Sequence, residues 1–350
     1  MADDRNSAAM ASPRTRRPSL AEKIAFLGSA AAHLGEAGPI EVVETHMSFV
    51  FLSERFAHKL KKPVRYEFLN FRSLAARRRS CREEVRLNRR LAPQVYIGAI
   101  PLAVDAAGAL RLGGAGAAVD WLVKMHRLPA DRMLEAAIRQ GTVKPAELEA
   151  VARLLADFYA AAAPVALAPA VFRRRIAAAV ARDRRDLEAA EFDLPAPVIA
   201  AVCAALDRML TADAALFDRR VRAGCIVEGH GDLRPEHVYL GPEPAVIDCL
   251  EFNRDFRILD RAEELAYLAM ECERLGAAAT GTDILDACCR ALGDSPPPRL
   301  LVFYKACRAL LRARLAILHL RDDDVAEPDK WRHRALDYLG LAEGYARRLR

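Results

Sequence analysis

The sequence predicts an α+β protein with two lobes, a small antiparallel β-rich lobe followed by a large, mainly helical one. The chain has 350 residues, enough for two lobes around a cleft. Residues 40–128 contain runs in which side chains alternate with a period of two, as in strands. Later residues show helical periodicity instead. We therefore expect a disordered tail over residues 1–19, a β-rich lobe over 20–128 and a helical lobe over 129–350.

The β-rich lobe should begin with a short amphipathic helix over residues 20–34. The β-rich run at 47–52 and the segment "FAHKLKKP" flank the tight turn "SER", which predicts an antiparallel hairpin. The segment "NFRSLAARRRSCREEVRLNRRLAP" has one apolar stripe and predicts a helix. Two more strands, "VYIGAIPLAV" and "AVDWLVKMHRLP", should lie on either side of a glycine-rich turn at residues 113–116.

The rest of the chain predicts helices, interrupted by one strand-like segment. That segment, "CIVEGHGDLRPEHVYLGPEPAVIDCLEFN", predicts a strand, a loop, the short strand "HVYL", a turn and the strand "AVID". The next segment, "LDRAEELAYL", predicts a helix that Asp260 and Glu264 cap and stabilise, with Asp260 near the N-terminus.

Composition and charge narrow the classes of function. The 53 basic and 47 acidic residues give a net charge of +6, which a solvated surface explains at least as well as an anionic partner. The basic residues are scattered with few aromatics among them, so we expect no nucleic-acid partner. No apolar run is long enough to span a bilayer and the N-terminus lacks a secretory signal. Eight cysteines without CxxC spacing predict reduced core residues of a cytoplasmic protein.

Two acids in the strand-like segment suggest a metal site. Asp232 lies in the predicted loop and Asp248 at the end of an apolar strand, and hairpin geometry should bring the two carboxylates together. Two close carboxylates with no basic side chain between them repel, and a bound cation removes that cost. Mg²⁺ prefers one or two carboxylates plus phosphate oxygens and water. Taken singly, Asp232 could cap a turn, Asp248 could end a strand and His230 could be a satisfied core histidine. Together, in a two-lobed layout, they favour a metal–phosphate site.

The stretch "HGDLRPEH…VIDCLEF" resembles the phosphotransfer loop and metal-binding strand of the aminoglycoside phosphotransferase family, which has the protein-kinase-like fold. The family pattern is H-x-D-x-x-x-x-N followed by a hydrophobic strand that ends in I-D. The segments "ETHMSFVFLSERFAHKLKKPVRYEFLNF", "RRRSCREEVRLNRRLAP" and "FYKACRALLRARLAIL" resemble a bacterial subgroup of that family whose substrates are unassigned. The resemblance covers roughly residues 40–345. It implies a small-molecule kinase that uses ATP and Mg²⁺, with Mn²⁺ as an alternative, and a hydroxyl-bearing acceptor.

The resemblance also implies roles for four residues of the helical lobe. Asp232 would be the catalytic base that orients or deprotonates the acceptor hydroxyl, and His230 would brace its loop. Asp248 would hold the magnesium that bridges the ATP phosphates. Glu251, three residues further on, would assist the metal directly or through water.

In the β-rich lobe the resemblance implies a nucleotide site. Lys59 would contact the α- and β-phosphates, with Lys61 on the same face as the runner-up, although "KLKK" also suits a solvated strand edge. Glu84 would pair with that lysine, with Glu83 as the neighbouring alternative. "WLVKM", ending at Met125, would lead to the hinge where backbone groups meet adenine, unless it is an ordinary buried strand.

One position departs from the family pattern. His237 stands where the family has asparagine as a second metal ligand, and imidazole suits softer divalent ions better than Mg²⁺. Three interpretations remain: one metal held by Asp248, better use of Mn²⁺, or a catalytically weak nucleotide-binding module with a regulatory role. The hairpin turn "SER" also lacks the glycine-rich loop of protein kinases.

The sequence says least about the chemical nature of the phosphate acceptor. Lys305, Arg308 and Arg312 recur at helical spacing along one face. If this face lines the cleft it suits a neutral or anionic acceptor, and if it faces solvent it carries no information. A polycationic aminoglycoside would need an acidic lining, so the sequence favours a hydroxyl-bearing metabolite.

Overall fold

The computed structural model describes residues 17–66, 69–321 and 327–349, and these form two compact units. The first unit holds residues 17–85 together with Tyr96–Arg127, and the second holds Arg86–Val95 together with residues 128–349. The predicted tail lies outside the described residues as far as residue 16. The predicted α+β class is confirmed, with a curled antiparallel sheet in one unit and helices dominating the other.

The first unit is built on a six-stranded sheet. Its strands lie in the order β1-β2-β3-β8-β6-β7, and every neighbouring pair is antiparallel. A separate two-stranded pairing joins β4 and β5. The strands of this unit are β1 (Glu41–Glu44), β2 (Ser48–Leu52), β3 (Phe56–Lys61), β4 (Arg65–Tyr66), β5 (Leu69–Asn70), β6 (Tyr96–Val104), β7 (Leu110–Leu112) and β8 (Ala117–His126).

Alternation along the strands divides the sheet into two faces. Phe51, Leu60, Leu102 and Leu122 are buried on one face and pack with Leu27 of the first helix. The neighbours of Leu60 in β3 point to the opposite face because strand side chains alternate. Lys59 and Lys61 of β3 therefore share a face, as the sequence predicted.

Helix α1 (Leu20–Leu27) is shorter than the predicted 20–34. Ser19 and Glu22 form a capping box at its start, and Gly28 caps its end. A separate 3-10 turn follows at Ala30–Ala32. Helix α2 (Leu74–Asn88) lies where the apolar stripe predicted it. The division between the two units falls after Val85, within α2.

The second unit is mainly helical. Its helices are α3 (Leu134–Gln140), α4 (Pro145–Ala161), α5 (Pro169–Leu187), α6 (Ala196–Ala212), α7 (Ala214–Arg222), α8 (Arg261–Arg274), α9 (Ala278–Ala291), α10 (Pro298–Leu318) and α11 (Pro328–Arg347). Its strands are β9 (Ile226–Glu228), β10 (Val238–Tyr239), β11 (Ala245–Val246) and β12 (Ile258–Asp260). Strands β9 and β12 pair antiparallel, as do β10 and β11.

Helix α8 is the central element of this unit. Ten of its residues are buried, and Tyr267 and Met270 belong to a large core formed with α5, α6, α10 and α11. Its N-cap is Asp260, whose side chain accepts a hydrogen bond from Ala262 N, which confirms the predicted cap. Buried Glu264 and Glu271 on the same helix must be paired, since an isolated buried carboxylate costs several kcal/mol.

The eight cysteines are free thiols, and seven of them are buried. The burial of these seven agrees with the prediction that the cysteines are core residues. Among the described residues, no helix combines the length and the hydropathy needed to cross a bilayer.

Candidate active site

A loop between β9 and β10 and the chain just beyond β11 carry the acids that the sequence singled out. The predicted strand "HVYL" is only Val238–Tyr239, because Pro235–His237 forms a 3-10 turn before it. The predicted strand "AVID" ends at Val246, two residues before Asp248. Asp248 therefore lies in the segment beyond the strand, which is a correction to its predicted place at the strand end.

Asp232 is held by partners on both carboxylate oxygens. Tyr267 donates its hydroxyl to Oδ1 at 3.0 Å, and Arg234 Nη2 lies 2.9 Å from Oδ2. Burial alone raises the pKa of the Asp232 carboxyl, but the positive charge of Arg234, with a further contribution from Arg312, outweighs burial and holds the pKa well below its usual range. Asp232 is therefore an ionised hydrogen-bond acceptor throughout the neutral range.

His237 lies between the two acids. Its Nδ1 is 2.9 Å from the carbonyl oxygen of Asp232 and 3.7 Å from Asp232 Oδ2, while its Nε2 is 3.7 Å from Asp248 Oδ2. A carbonyl oxygen only accepts hydrogen bonds, so Nδ1 carries the hydrogen. Nε2 faces the side of Asp248, and Arg234 Nη2 lies 3.4 Å from it. This corrects the expectation of no basic side chain between the carboxylates.

Asp248 has an uncommon backbone and an open side chain. Its φ of +63° is left-handed, a conformation that costs most residues 1–3 kcal/mol and that Asn and Asp tolerate best. Its side chain is 45% exposed, against 20% for Asp232. The Asp248 carboxylate is thus the one that can meet an ion arriving from solvent.

His230 is fixed by two hydrogen bonds within the same loop. Its Nε2 lies 2.9 Å from the carbonyl oxygen of Ile247, and its Nδ1 accepts from Asp232 N at 3.3 Å. Burial lowers the pKa of His230 to about 4, so the ring is neutral at pH 7. The imidazole ties the residue before Asp248 to the backbone of Asp232.

Glu264 also holds this loop, which the sequence did not indicate. Its carboxylate accepts hydrogen bonds from His230 N at 3.0 Å, from Gly231 N and from the Tyr159 hydroxyl at 2.7 Å. Glu264 lies in the first turn of α8, as predicted for an acidic residue that stabilises the start of a helix, and its bonds to the loop are an additional role. Gly231 has a φ of +91°, and a Cβ there would lie 3.1 Å from side chains of Arg257 and Leu250. Only glycine lets the loop pass this close.

We expect Glu264→Gln to lower the free energy of unfolding by about 2 kcal/mol, because hydrogen bonds to a buried charged acceptor are worth about 1.5–3 kcal/mol. The glutamine amide would also face a backbone N–H donor. The measurement is urea unfolding, with Glu243→Gln at an exposed position as the matched control. Equal unfolding midpoints for the two variants would show that Glu264 does not secure the loop.

In the first unit, one buried carboxylate binds both candidate lysines. Glu84 Oε1 lies 3.0 Å from Lys59 Nζ, and Glu84 Oε2 lies 2.5 Å from Lys61 Nζ. The Lys61 side chain is 2% exposed and its Nζ also lies 5.3 Å from the centre of the Phe71 ring, whereas Lys59 is 16% exposed. Glu83 is only partly buried. The pairing therefore singles out Glu84 over Glu83 as the carboxylate that meets the lysines.

Two further candidate residues lie in separate elements. Met125 lies near the end of β8, buried opposite Ala57 and Tyr96. Glu251 lies partly exposed in the segment after Asp248.

The basic face of α10 is neutralised by α8. Lys305 lies 2.6 Å from Glu273, Arg308 lies 2.8 Å from Glu263, and Arg312 lies 3.3 Å from Glu271. The sequence left two alternatives for this face, that it lines the cleft or that it faces solvent. In the structure it instead forms ion pairs with acidic residues of α8. These three cations consequently give no independent support for an anionic acceptor.

The donors near Asp248 fit a hard divalent ion that brings its own oxygen ligands. The described residues contain no cluster of three or more His, Cys, Asp or Glu side chains arranged to hold a metal by themselves. Asp248 Oδ2 and His237 Nε2 lie 3.7 Å apart, so one ion could contact both. Mg²⁺ is commonly bound by one or two carboxylates plus phosphate oxygens and water. A neutral imidazole with its Nδ1–H held by a carbonyl has the tautomer needed for metal ligation through Nε2.

Known proteins resemble this chain in sequence and in fold. No family model matches the chain. It is 33% identical over 281 residues to uncharacterized proteins of Mycobacterium tuberculosis and Mycobacterium bovis, an alignment covering 79% of this chain. The chain spans about half, 54%, of the length of these curated relatives.

Solved structures match over nearly the whole chain. A choline/ethanolamine kinase family protein from Mesorhizobium loti superimposes with a TM-score of 0.51 at 16% identity, covering 94% of this chain and 99% of its own. The GDP and kanamycin complex of APH(2")-IIia gives a TM-score of 0.51 at 14% identity, covering 92% and 97%. The chain has the protein-kinase-like fold. Plasmodium vivax ethanolamine kinase gives 0.50 at 10% identity, covering 91% and 86%. At these identities the likeness establishes the fold, as the sequence resemblance predicted.

Proposed function

We propose that this protein is an ATP-dependent phosphotransferase that moves the γ-phosphoryl group to a hydroxyl of a small molecule. The observation that carries the proposal is the placement of Asp232 and Asp248 on opposite sides of the His237 ring. Phosphoryl transfer needs a carboxylate that positions the nucleophile and another that holds a divalent ion. A choline/ethanolamine kinase family protein and the GDP and kanamycin complex of APH(2")-IIia share the fold, which supports this class of reaction.

We assign the positioning of the acceptor to Asp232, with His230 bracing its loop. A carboxylate whose pKa lies well below its usual range is a weak base, so Asp232 accepts the hydrogen bond of the acceptor hydroxyl and orients its oxygen. His230 stays neutral at pH 7 and keeps the Asp232 backbone in place. Orientation, more than strong deprotonation, is what a loose phosphoryl-transfer transition state requires.

We assign the metal to Asp248 and His237, with Glu251 as a further carboxylate acting directly or through water. The ion, Mg²⁺ or Mn²⁺, would neutralise phosphate charge when bound. Asp248 supplies an exposed oxygen and His237 a nitrogen lone pair. Imidazole nitrogen suits Mn²⁺ better than Mg²⁺ in the ordinary order of affinities.

We assign nucleotide binding in the first unit to Lys59, Lys61, Glu84 and Met125. Lys59 is the more exposed lysine and can donate to phosphate oxygens, while buried Lys61 holds Glu84 in place. Met125 marks the strand end whose backbone would meet the adenine base. The free thiols fit a reducing compartment such as the cytoplasm.

One observation favours a second candidate, a nucleotide-binding module with weak catalysis. His237 replaces the asparagine that the family pattern has at this position, and its Nε2 is also within reach of Arg234. In that case the protein binds ATP and acts through a conformation or a partner.

The deciding experiment is a screen of hydroxyl-bearing metabolites with γ-labelled ATP, run in parallel with Mg²⁺ and Mn²⁺. The expected result is label transfer to an acceptor, or acceptor-free ATP hydrolysis, that depends on the added metal. Thermal stabilisation by ATP with neither transfer nor hydrolysis under both metals would contradict the proposal and favour the weak module.

His237→Asn should move the metal preference toward Mg²⁺. We compare kcat/KM measured with Mn²⁺ to kcat/KM measured with Mg²⁺, and we expect this ratio to fall by about tenfold. That is the lower end of the usual effect of changing the side chains that bind or orient a metal. His333→Asn is the matched control, since His333 Nδ1 also meets a backbone carbonyl, that of Asp329, at 2.7 Å. An unchanged ratio in His237→Asn would remove His237 from the metal site.

A further inference from the structure

We propose that Tyr267 is a positioning residue for Asp232, whose hydroxyl fixes the plane of the carboxylate and thereby sets kcat without contributing to nucleotide affinity. The proposal rests on the function proposed above and adds a residue that no sequence pattern indicated. It is carried by the contact between Tyr267 Oη and Asp232 Oδ1 at 3.0 Å.

The Tyr267 hydroxyl acts on Asp232 only as a donor. The side chain is buried in α8, with 1% of the residue exposed. Burial, together with the negative charge of Asp232, raises the pKa of Tyr267 well above its usual value, so the phenol keeps its proton. Asp232 Oδ1 therefore always has a hydrogen-bond donor on α8, the Tyr267 hydroxyl.

The second oxygen of Asp232 is fixed independently. Arg234 Nη2 lies 2.9 Å from Oδ2, so each carboxylate oxygen has its own partner from a different part of the chain. A carboxylate with a single partner can rotate about its Cβ–Cγ bond, whereas two partners on opposite oxygens fix its plane. Each carboxylate oxygen accepts two hydrogen bonds, so both retain capacity for an acceptor hydroxyl.

Tyr267 is itself held in place from α10. The Arg308 guanidinium lies 4.9 Å from the centre of the Tyr267 ring, and Arg308 pairs with Glu263 at 2.8 Å. A cation over the ring face is attracted to the aromatic quadrupole. The chain of contacts Glu263–Arg308–Tyr267–Asp232 links two core helices to the loop, so the phenol is a rigid support.

The expected effect follows from how strongly catalysis depends on orientation. A displacement of about 1 Å at a catalytic group can cost about 10²-fold in rate. Removing only the hydroxyl leaves the loop and Arg234 in place, so we expect a loss of about 10- to 100-fold in kcat. The KM for ATP should be unchanged, because Tyr267 contacts Asp232 and no residue assigned to nucleotide binding.

The test compares Tyr267→Phe with Tyr304→Phe. Tyr304 is equally buried and donates its hydroxyl to a carboxylate, Asp260 Oδ2, at 2.9 Å, outside the candidate site. ATP hydrolysis and transfer are measured with Mg²⁺ and with Mn²⁺, alongside urea unfolding of each variant. We expect both variants to lose similar stability and only Tyr267→Phe to lose kcat.

A double variant separates positioning from a structural role. If Tyr267 acts through Asp232, then adding Tyr267→Phe to Asp232→Asn should cause no further loss of kcat. A further tenfold loss in that background, or a kcat for Tyr267→Phe equal to that of Tyr304→Phe, would overturn the proposal for Tyr267 alone. Absence of any turnover in the wild-type protein would overturn the proposed function, and this inference with it.

Discussion

Asp248→Asn is expected to reduce metal-dependent ATP turnover by about 10³-fold or more, since metal ions contribute several kcal/mol of charge stabilisation and each 1.36 kcal/mol is tenfold in rate. The substitution removes the negative charge of a carboxylate whose side chain is 45% exposed. Asparagine keeps the shape of the side chain and tolerates the left-handed backbone at φ +63°. Asp248→Ala would add strain at this left-handed backbone to the loss of charge, so the two effects could not be separated.

The matched control is Asp193→Asn. Asp193 is exposed and also has a left-handed backbone, with a φ of +49°, so the same chemical change is made on the same kind of backbone. Turnover should be unchanged in this variant. Binding of Mn²⁺ in the presence of ATP, followed by electron paramagnetic resonance, gives a readout independent of turnover. If Asp248→Asn keeps turnover within about threefold of wild type and still binds Mn²⁺, Asp248 is not the metal ligand.

Asp232→Asn is expected to reduce kcat by about 10²- to 10⁴-fold, the usual contribution of a positioned acid–base group, with little change in the KM for ATP. Because the pKa of Asp232 lies well below its usual range, its carboxylate stays charged as the pH falls. Asp232 should therefore introduce no acid limb in the wild-type profile of kcat down to about pH 4, the ordinary value for aspartate. The measurement is the pH dependence of kcat in both proteins.

Asp218→Asn is the control for this substitution. Asp218 is 18% exposed and lies 2.9 Å from Arg173 Nε, so its exposure and its pairing with arginine match those of Asp232. We expect normal kcat in this variant. A protein with Asp232→Asn that turned over ATP as fast as the Asp218→Asn control would exclude Asp232 from the chemistry.

The fold was accessible from the sequence because its main signals are local. Alternation in β3 and β8 and the helical stripe of α2 predicted these three elements of the first unit. The family resemblance of the H-x-D motif and its downstream aspartate predicted the kinase-like fold. The elements that the sequence missed are short. Strand β7, at Leu110–Leu112, and strand β12, at Ile258–Asp260, each have three residues, too few for a periodic pattern to show.

The sequence predicted which acidic residues belong to the candidate site, but it did not predict the contacts that hold them. Asp232 and Asp248 could be named from the motif and Glu84 from the family resemblance, but the partners of Asp232 come from distant parts of the sequence. Tyr267 lies 35 positions away on α8, and Glu264 reaches the loop from the same helix. Such contacts depend on how α8 packs beneath the loop, and no spacing rule along the chain encodes that. The position of the His237 ring likewise results from a 3-10 turn, Pro235–His237, whose last residue the sequence assigned to the strand "HVYL".

In the proposed function Asp232 and Asp248 belong to one phosphotransfer site, and a double variant tests this most directly. ATP turnover with Mg²⁺ and with Mn²⁺ would be measured for the two single variants to asparagine and for the double variant. Groups that act as a unit give strongly non-additive losses. We predict that the double variant turns over no more than about threefold more slowly than the worse single variant. Losses that multiply in the double variant would contradict a single site formed by these two acids.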